Sequence, residues 1–338
     1  MNPVAAPLTL DTMSDFPSVR LHVVSGKGGT GKTTVAAALA LALASGGKKV
    51  LLIEVEGRQG IAQLFDSAPL PYEERKVAVA PGGGDVYALA VDPEQALLDY
   101  LHMFYKLSPT GIPARTLRKI GAIDFATTIA PGLRDVLLTG KVKEAVVRKD
   151  KTRPYYDAVV VDAPPTGRVA RFLNISHEIG ALAKVGPLKS QSDGVMALFK
   201  SEQTAVHLVT LLEEMPVQET IDAVDELTSL GLPVGGVVVN AVRTPALQHA
   251  DLLAAERGEL DLGALKTGLQ GVGLDTALAP VLAAEAADHA ARVALEERGR
   301  DALADLHRPS YELPLLPDTI DLGSLYELAT LLRQQGLG

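Results

Sequence analysis

The 338-residue sequence predicts an α/β fold built on a mostly parallel, doubly wound sheet. Short apolar segments alternate with longer segments typical of helices, which is the pattern of a parallel sheet with helices on both faces. Several of the apolar segments contain no polar interruption, as expected of strands that are buried on both sides. The predicted strands are residues 19–25, 50–55, 86–91, 157–162, 204–209, 235–239 and 310–313.

A glycine-rich loop follows the first predicted strand. Residues Gly26 to Thr34 read GKGGTGKTT and match the pattern G-x-x-x-x-G-K-[ST]. A run of helix-forming residues, 33–45, comes next and is closed by Gly46. Glycines let the backbone wrap closely around phosphates, and the start of a helix favours negative charge. The order strand, glycine loop and helix therefore predicts the P-loop of a nucleoside triphosphatase.

The residues of this loop have separate predicted roles. Lys32 is expected to reach the β- and γ-phosphates, and the hydroxyl of Thr33 is expected to ligate Mg²⁺. Thr34 is placed near the α-phosphate. We therefore predict ATP and Mg²⁺ as cofactors. The remaining phosphate-binding residues of the loop are Gly28, Gly29, Thr30 and Gly31.

The strand 157–162 ends in Asp162, a carboxylate that is expected to hold Mg²⁺ through water. Taken alone, an aspartate at a strand end is more often a helix cap or a turn residue. The P-loop upstream and the rigid loop 163–168, which could sense the γ-phosphate, favour the metal role.

Two further strand ends carry polar residues with two interpretations each. Glu54 and Glu56 follow one another on one face of the second strand, so one is expected to orient the attacking water while the other is solvated. The alternative is an ordinary surface charge. Asn240 follows strand 235–239 and could pair with an adenine edge, or could instead cap a turn or helix.

Composition excludes several classes of site. The chain has no cysteine, so disulfides, thiolate zinc sites, iron–sulfur clusters and cysteine nucleophiles are impossible. A net charge of −9 argues against a general nucleic-acid surface. The first 17 residues lack the features of a signal peptide, and the longest apolar run, 35–44, is too short to span a membrane. We therefore expect a cytoplasmic protein with no direct membrane insertion and no nucleic-acid partner.

The predicted organisation is one large domain. Residues 1–17 are expected to be a flexible N-terminus, and residues 18–338 a single P-loop ATPase domain. A helical subdomain, formed by about 95–150 and 170–201, is expected to lie above the carboxyl ends of the strands. Residues 246–308 are rich in Ala, Leu, Glu and Asp and predict helices joined by loops.

Over about residues 19–330, the chain resembles the deviant-Walker-A ATPases of the SIMIBI class. It is most similar to the family of the arsenite-pump ATPase ArsA and the tail-anchored-protein targeting ATPases. The residues that carry the resemblance are Lys27–Thr34, Asp162–Arg168, Val239–Asn240 and Leu313–Pro317. The segment Asp124–Gly132 is similar to a bacterial subgroup described as anion-transporting ATPase-like.

The resemblance implies a homodimer, or a heterodimer with a paralogous ATPase. Lys27 would then reach the partner's phosphates and act in catalysis with Lys32, and Glu213 would lie near the partner's nucleotide. Asn240, Pro314 and Leu315 would contact adenine. The resemblance also implies a hydrophobic client segment or a membrane-protein partner. Apolar residues in Ile120–Leu138 and Asp193–Phe199 could line a client groove, or could simply pack the subdomain.

Two departures from the family pattern affect the predicted activity. The family's switch I sequence D-P-A-H is replaced by Glu56-Gly57-Arg58-Gln59, so Glu56 is the candidate for activating water. Arg168 replaces the switch II histidine. Because the chain has no cysteine, arsenite transport by the thiol route and a zinc clasp are not expected.

The predicted function is thus a Mg²⁺-dependent ATPase that couples its nucleotide state to partner binding. Two alternatives stay open. One is a nearly inactive ATP-binding scaffold for an active paralogue, which the switch I departure favours. The other is a partition or positioning ATPase, which is disfavoured because residues 325–338 contain only one basic residue.

Overall fold

The computed structural model describes residues 14–105, 131–174, 187–317 and 319–338. Its main sheet has eight strands in the order β10-β9-β8-β1-β7-β2-β4-β3, and a two-stranded hairpin, β5-β6, lies apart from it. The strands are β1 (Leu21–Gly26), β2 (Lys49–Glu54), β3 (Arg75–Val79), β4 (Asp85–Ala90), β5 (Lys149–Asp150), β6 (Arg153–Pro154), β7 (Ala158–Asp162), β8 (Thr204–Thr210), β9 (Val234–Val242) and β10 (Ser310–Pro314).

All seven predicted strands are present, and they pair in parallel as the prediction of a mostly parallel sheet requires. The sequence did not predict β3, which pairs antiparallel to β4 at the edge of the sheet. Only Ala78 of its five residues is buried, so β3 lacks the apolar run that marks the inner strands. Lys76 and Asp85 form an ion pair across this pairing, at 2.6 Å.

Helices cover both faces of the sheet, as a doubly wound fold requires. The helices are α1 (Lys32–Ala44), α2 (Gly60–Leu64), α3 (Pro93–Tyr105), α4 (Pro131–Val147), α5 (Thr166–Leu173), α6 (Pro187–Phe199), α7 (Glu214–Ser229), α8 (His249–Glu256), α9 (Leu262–Gly271), α10 (Ala279–Ala304) and α11 (Leu322–Gln334). A short 3-10 turn, Thr276–Leu278, precedes α10.

Two apolar cores result from the alternation of side chains along the strands. On β2, Leu51 and Ile53 pack into the core that contains α3 to α7. Val50 and Leu52 point the other way, into the core that contains α1, α2 and α11. The helix α1 is buried on nearly every side because its alanines and leucines pack between the sheet and α11.

The described parts of the predicted helical subdomain pack on one face of the sheet. Val136 and Leu138 of α4 and Val195 and Phe199 of α6 are buried in the same core as β2 and β7. These apolar residues therefore pack the fold in the described part of the chain. The remaining part of the predicted client-binding segments, residues 120–130, lies outside the described residues.

The predicted flexible N-terminus is described only from residue 14. The backbone N–H of Asp15 donates to the carbonyl of Gly336, at 2.9 Å, and its carboxylate accepts from the hydroxyl of Tyr311. Phe16 packs edge-on against His207, with ring centroids 5.0 Å apart. Residues 14–16 are thus fixed against β8, β10 and the segment after α11.

Candidate active site

The predicted site residues converge at one edge of the sheet because the strands that carry them run parallel. The register pairs Val24 of β1 and Glu54 of β2 with Asp162 at the end of β7. The P-loop follows β1 at the same edge. The ends of β8, β9 and β10 bring Glu213, Asn240 and Pro314 to this edge as well.

The P-loop has a backbone conformation that requires glycine at Gly31. Its φ is 86°, and a Cβ atom there would lie 2.3 Å from Nδ2 of Asn240. That amide donates to the carbonyl of Thr30, at 2.9 Å, and the hydroxyl of Thr30 donates to the carbonyl of Lys27, at 2.9 Å. Asn240 therefore holds the loop directly, a contact that the sequence did not predict.

The outer side of the loop is open. Gly28 and Gly29 are exposed, and among the described residues no atom lies within 4 Å of a Cβ built on either. Lys32 is buried at the loop's base, while Thr34 is half-buried in the first turn of α1. This geometry leaves room for a triphosphate against the backbone N–H groups.

Thr33 and Asp162, the two predicted metal ligands, are in contact. The hydroxyl of Thr33 donates to Oδ2 of Asp162, at 2.7 Å. Oδ1 of Asp162 is buried and has no hydrogen-bond partner among the described residues. A hydroxyl and a carboxylate with an unused buried oxygen fit Mg²⁺, which prefers oxygen ligands.

Burial also perturbs the proton affinity of Asp162, which is only 8% exposed. Burial raises the pKa of its carboxyl from 3.8 to about 6. The hydrogen bond from Thr33 and the charge of Lys32 oppose this rise, whereas Glu54 and Glu56 add to it. A bound cation would therefore be favoured here because it offsets the buried negative charge.

Glu54, one of the two glutamates after β2, has a structural role. It is buried, and its carboxylate accepts from the backbone N–H of Gln59, at 2.5 Å, and of Ile61, at 3.3 Å. Gln59 itself has a positive φ of 59°. Glu54 thus fixes the loop between β2 and α2 rather than facing solvent.

Glu56 lies in that loop, and two guanidinium groups surround it. Its carboxylate is 3.3 Å from Arg58 and 3.4 Å from Arg168. Both arginines are mostly exposed, while the Glu56 side chain is 16% exposed. Arg168 lies in the first turn of α5, and the loop that precedes this helix is held to β1 because the hydroxyl of Ser25 donates to the carbonyl of Pro164, at 2.6 Å.

Lys27 is held within its own chain. Its ammonium group is 2.7 Å from Oε1 of Glu219, on α7. The other carboxylate oxygen of Glu219 accepts from the hydroxyl of Thr166, at 3.1 Å. Glu219 thus links α7 to the P-loop and to the start of α5. Glu219 could not be predicted as a site residue because a glutamate inside an amphipathic helix carries no distinguishing sequence pattern.

A small cavity of about 50 Å³ adjoins Asn240 between the ends of β8 and β9. Glu213 and Val242 contribute to its wall, together with Arg243 and Glu296, two residues that sequence analysis did not single out. Pro314 and Leu315 do not line this cavity. They lie next to it, since the backbone N–H of Leu315 donates to the carbonyl of Val242, at 2.8 Å.

This loop, its helix and the strand-end aspartate define a P-loop nucleotide-binding protein of the α/β class. The family model of anion-transporting ATPases, the ArsA ATPases, matches residues 19–201. The chain therefore belongs to the ArsA-type ATPase family.

Relatives of known name agree with this assignment. ATPase BagA of Mycobacterium tuberculosis is 57% identical over 327 residues, which is 96% of this chain and 95% of the relative. An arsenical pump-driving ATPase of Acidiphilium multivorum is 30% identical over 273 residues, 75% of this chain and 45% of the relative. The ATPase get3 of Schizosaccharomyces japonicus is 24% identical over 267 residues, 69% of this chain and 78% of the relative.

No helix in the described ranges combines the length and the apolar character needed to cross a membrane.

Proposed function

We propose that this chain hydrolyses ATP in a Mg²⁺-dependent reaction and acts in the cytoplasm as a nucleotide-switched dimer. The observation that carries the proposal is the contact between Thr33 and Asp162 at the base of an open P-loop. The unused buried oxygen of Asp162 supports a cation at this position. Membership of an ATPase family supports the reaction itself.

Each residue at the site has a proposed part in the reaction. Lys32 binds the β- and γ-phosphates, and Thr33 and Asp162 hold the metal. Bound Mg²⁺ supplies positive charge that offsets the charge developing on the phosphate oxygens. Glu56 accepts a hydrogen bond from the attacking water and orients it in line with the γ-phosphate. Arg168, 3.4 Å from Glu56, places a further positive charge nearby.

For the dimer, we propose that Lys27 leaves Glu219 and contacts the partner's phosphates when ATP is bound. The ion pair of 2.7 Å supports a distinct state of the free chain. Glu219 also accepts a hydrogen bond from Thr166 at the start of α5. Release of Lys27 would therefore alter the hydrogen bond between Glu219 and α5. The helix α5 packs in the same core as α3, α4 and α6. A change of bound nucleotide at the P-loop would in this way change the position of α5 and of the helices that pack against it.

We propose that the helical subdomain then binds a partner, either a hydrophobic client segment or a membrane protein. The energy for the change comes from different contacts made with ATP and with ADP. In the free chain, Asn240 donates its amide N–H to Thr30, which leaves its amide oxygen for the adenine amino group. Glu213, exposed before α7, is available to a partner subunit.

One observation favours a second candidate, a nearly inactive nucleotide-binding scaffold for an active paralogue. The carboxylate of Glu56 is engaged by Arg58 and Arg168. A carboxylate that is already paired with two cations is a weaker acceptor for the attacking water. In this case the chain would bind ATP and hydrolyse it only slowly without the paralogue.

The test measures phosphate release by the full chain with ATP and Mg²⁺. We compare the wild type with Lys32→Ala, Glu56→Gln and the control Asp85→Asn, which removes a paired carboxylate at the opposite edge of the sheet. We expect Lys32→Ala to lose ATP binding. Glu56→Gln should keep ATP binding and lose turnover at least about 100-fold, as expected for a residue that positions the nucleophile.

The outcomes separate the candidates. Normal turnover by both Lys32→Ala and Glu56→Gln would refute the catalytic assignment. Tight ATP binding by a wild-type chain with negligible turnover, raised by an added paralogue, would favour the scaffold. Sedimentation in ATP and in ADP tests the dimer, and identical monomeric behaviour in both would contradict it.

A further inference from the structure

A groove separate from the candidate active site is formed by the segment that runs from the end of β9 to the start of α10. The helices α8 and α9, and the beginning of α10, enclose a groove of about 610 Å³ that is open to solvent. We call it the α8–α9 groove. Its large apolar side chains are Leu260, Leu265, Leu269, Val272 and Leu282.

The segment that forms this groove carries more than half of the exposed large apolar side chains in the described part of the chain. Seven of the twelve exposed large hydrophobic side chains among the described residues lie between residues 253 and 282. Val272, in the groove, is 71% exposed, and Leu274 and Val281 are each 54% exposed. Single apolar residues are common on protein surfaces and need no explanation. A cluster of them marks an interaction surface.

The charges around the α8–α9 groove have one sign. Asp251, Glu259 and Asp261 line it, and no lysine or arginine is among the described residues that do so. Asp261 is fixed in place because its carboxylate accepts from the backbone N–H of Gly263, at 2.7 Å, at the start of α9. Residues 249–285 contain six acidic and two basic residues.

We propose that the α8–α9 groove binds a lysine- or arginine-bearing amphipathic segment of another protein. The apolar side chains of that segment would lie against Leu265, Leu269 and Val272, and its cations would meet the acidic rim. A helix with an apolar stripe and flanking cations has this chemistry. A second copy of this chain is disfavoured because it would bring a surface of like charge to the groove. The proposal is independent of ATP hydrolysis.

The test uses a fluorescein-labelled helical peptide of about 14 residues, with leucines spaced to form one stripe and lysines elsewhere. Its binding to the full chain is measured by fluorescence anisotropy. A matched peptide in which glutamate replaces every lysine is the control probe. We expect the lysine peptide to bind and the glutamate peptide not to bind. We also expect the affinity to fall as salt rises.

Two double variants test the location. The pair Val272→Ser and Leu282→Ser should weaken binding about tenfold or more because it removes apolar contact area. The pair Asp251→Asn and Glu259→Gln should weaken binding several-fold and flatten the salt dependence. The matched control, Val147→Ser with Glu297→Gln, changes an exposed apolar and an exposed acidic residue outside the groove and should leave binding unchanged.

Three results would overturn the proposal. The first is equal binding of both peptides, and the second is wild-type affinity in both groove variants. The third is a wild-type chain that self-associates without nucleotide and is made monomeric by Val272→Ser with Leu282→Ser, which would make a second copy the occupant. Thermal unfolding of each variant confirms that a loss of binding is not a loss of folding.

Discussion

Replacing Asp162 with asparagine should stabilise the nucleotide-free chain even though it removes a proposed metal ligand. Burial raises the pKa of this carboxyl from 3.8 to about 6, so the charged form is disfavoured in the folded state. At about 1.4 kcal/mol per pKa unit, the ionised carboxylate costs the folded chain about 3 kcal/mol at neutral pH. Asparagine carries no charge, and its amide oxygen can still accept from Thr33. We expect a gain of about 1–3 kcal/mol in the free energy of unfolding.

The difference in the free energy of unfolding between Asp162→Asn and the wild type should depend on pH in a defined direction. A carboxyl whose pKa is raised on folding stabilises the folded state below the unfolded pKa of 3.8, and this stabilisation is lost as pH rises through about 6. The advantage of Asp162→Asn should therefore be largest above about pH 7 and should shrink toward about pH 4. Urea unfolding of both proteins at several pH values, with a chelator present, measures this difference in the free energy of unfolding.

Addition of Mg²⁺ and ATP should reverse the order of stability, since the wild type gains more from binding than the variant, which lacks the carboxylate that holds the metal. Asp85→Asn, which changes a half-buried carboxylate paired with Lys76, is the control. It should not raise the stability of the nucleotide-free chain, and it should gain as much from Mg²⁺ and ATP as the wild type does. The reasoning is refuted if Asp162→Asn is less stable than the wild type at neutral pH without nucleotide, or if the difference does not depend on pH.

Three further predictions concern other contacts. Glu219→Gln removes the ion pair to Lys27, which is partly exposed and therefore worth less than about 1 kcal/mol. In sedimentation with ATP, it should tighten dimerisation by no more than about fivefold, and weaker dimerisation would contradict the proposed release of Lys27. His22 of β1 is buried, and burial lowers the pKa of its imidazole to about 4. The contribution of this ring to stability is therefore full above the unfolded pKa of 6.5 and is lost as pH falls toward 4. NMR should show no titration of this ring between about pH 7.5 and about pH 5.5, and a titration midpoint in that range would refute burial of the neutral form. Gly31→Ala places a Cβ 2.3 Å from the amide of Asn240, at a residue whose φ is positive. The affinity for ATP, measured by calorimetry, should therefore fall at least about tenfold. Unchanged affinity would show that the loop can rearrange.

The sheet and the P-loop could be predicted because each rests on a local pattern. Val159 to Val161 form an uninterrupted apolar run, and the two lysines and the glycines of residues 26–32 stand at fixed spacings. The edge strand β3 escaped prediction because only one of its five side chains is buried. A strand with so little apolar surface resembles a loop at the level of sequence.

The features of the site that could not be predicted depend on contacts formed only in the folded chain. They are the ion pair between Lys27 and Glu219 and the separate roles of Glu54 and Glu56. The residues Glu219 and Lys27 are far apart in the chain, and the parallel order of the sheet brings them together. The roles of Glu54 and Glu56 could not be separated from alternation alone. Their difference depends on the turn at Gln59, whose backbone N–H groups capture Glu54.

The burial of α1 has a consequence for how fast different parts of the site can move. Amide groups in α1 should exchange with deuterium only on global unfolding, because this helix is enclosed by the sheet and α11. The loop that carries Glu56 is joined to Arg168, in the first turn of α5, by one ion pair of 3.4 Å whose arginine is mostly exposed. Such a pair opens at little cost. We therefore expect α1 to keep the same position when ATP or ADP is bound. Differences in amide exchange between the ATP-bound and ADP-bound chain should appear in the loop of Glu56 and at the start of α5, and not in α1.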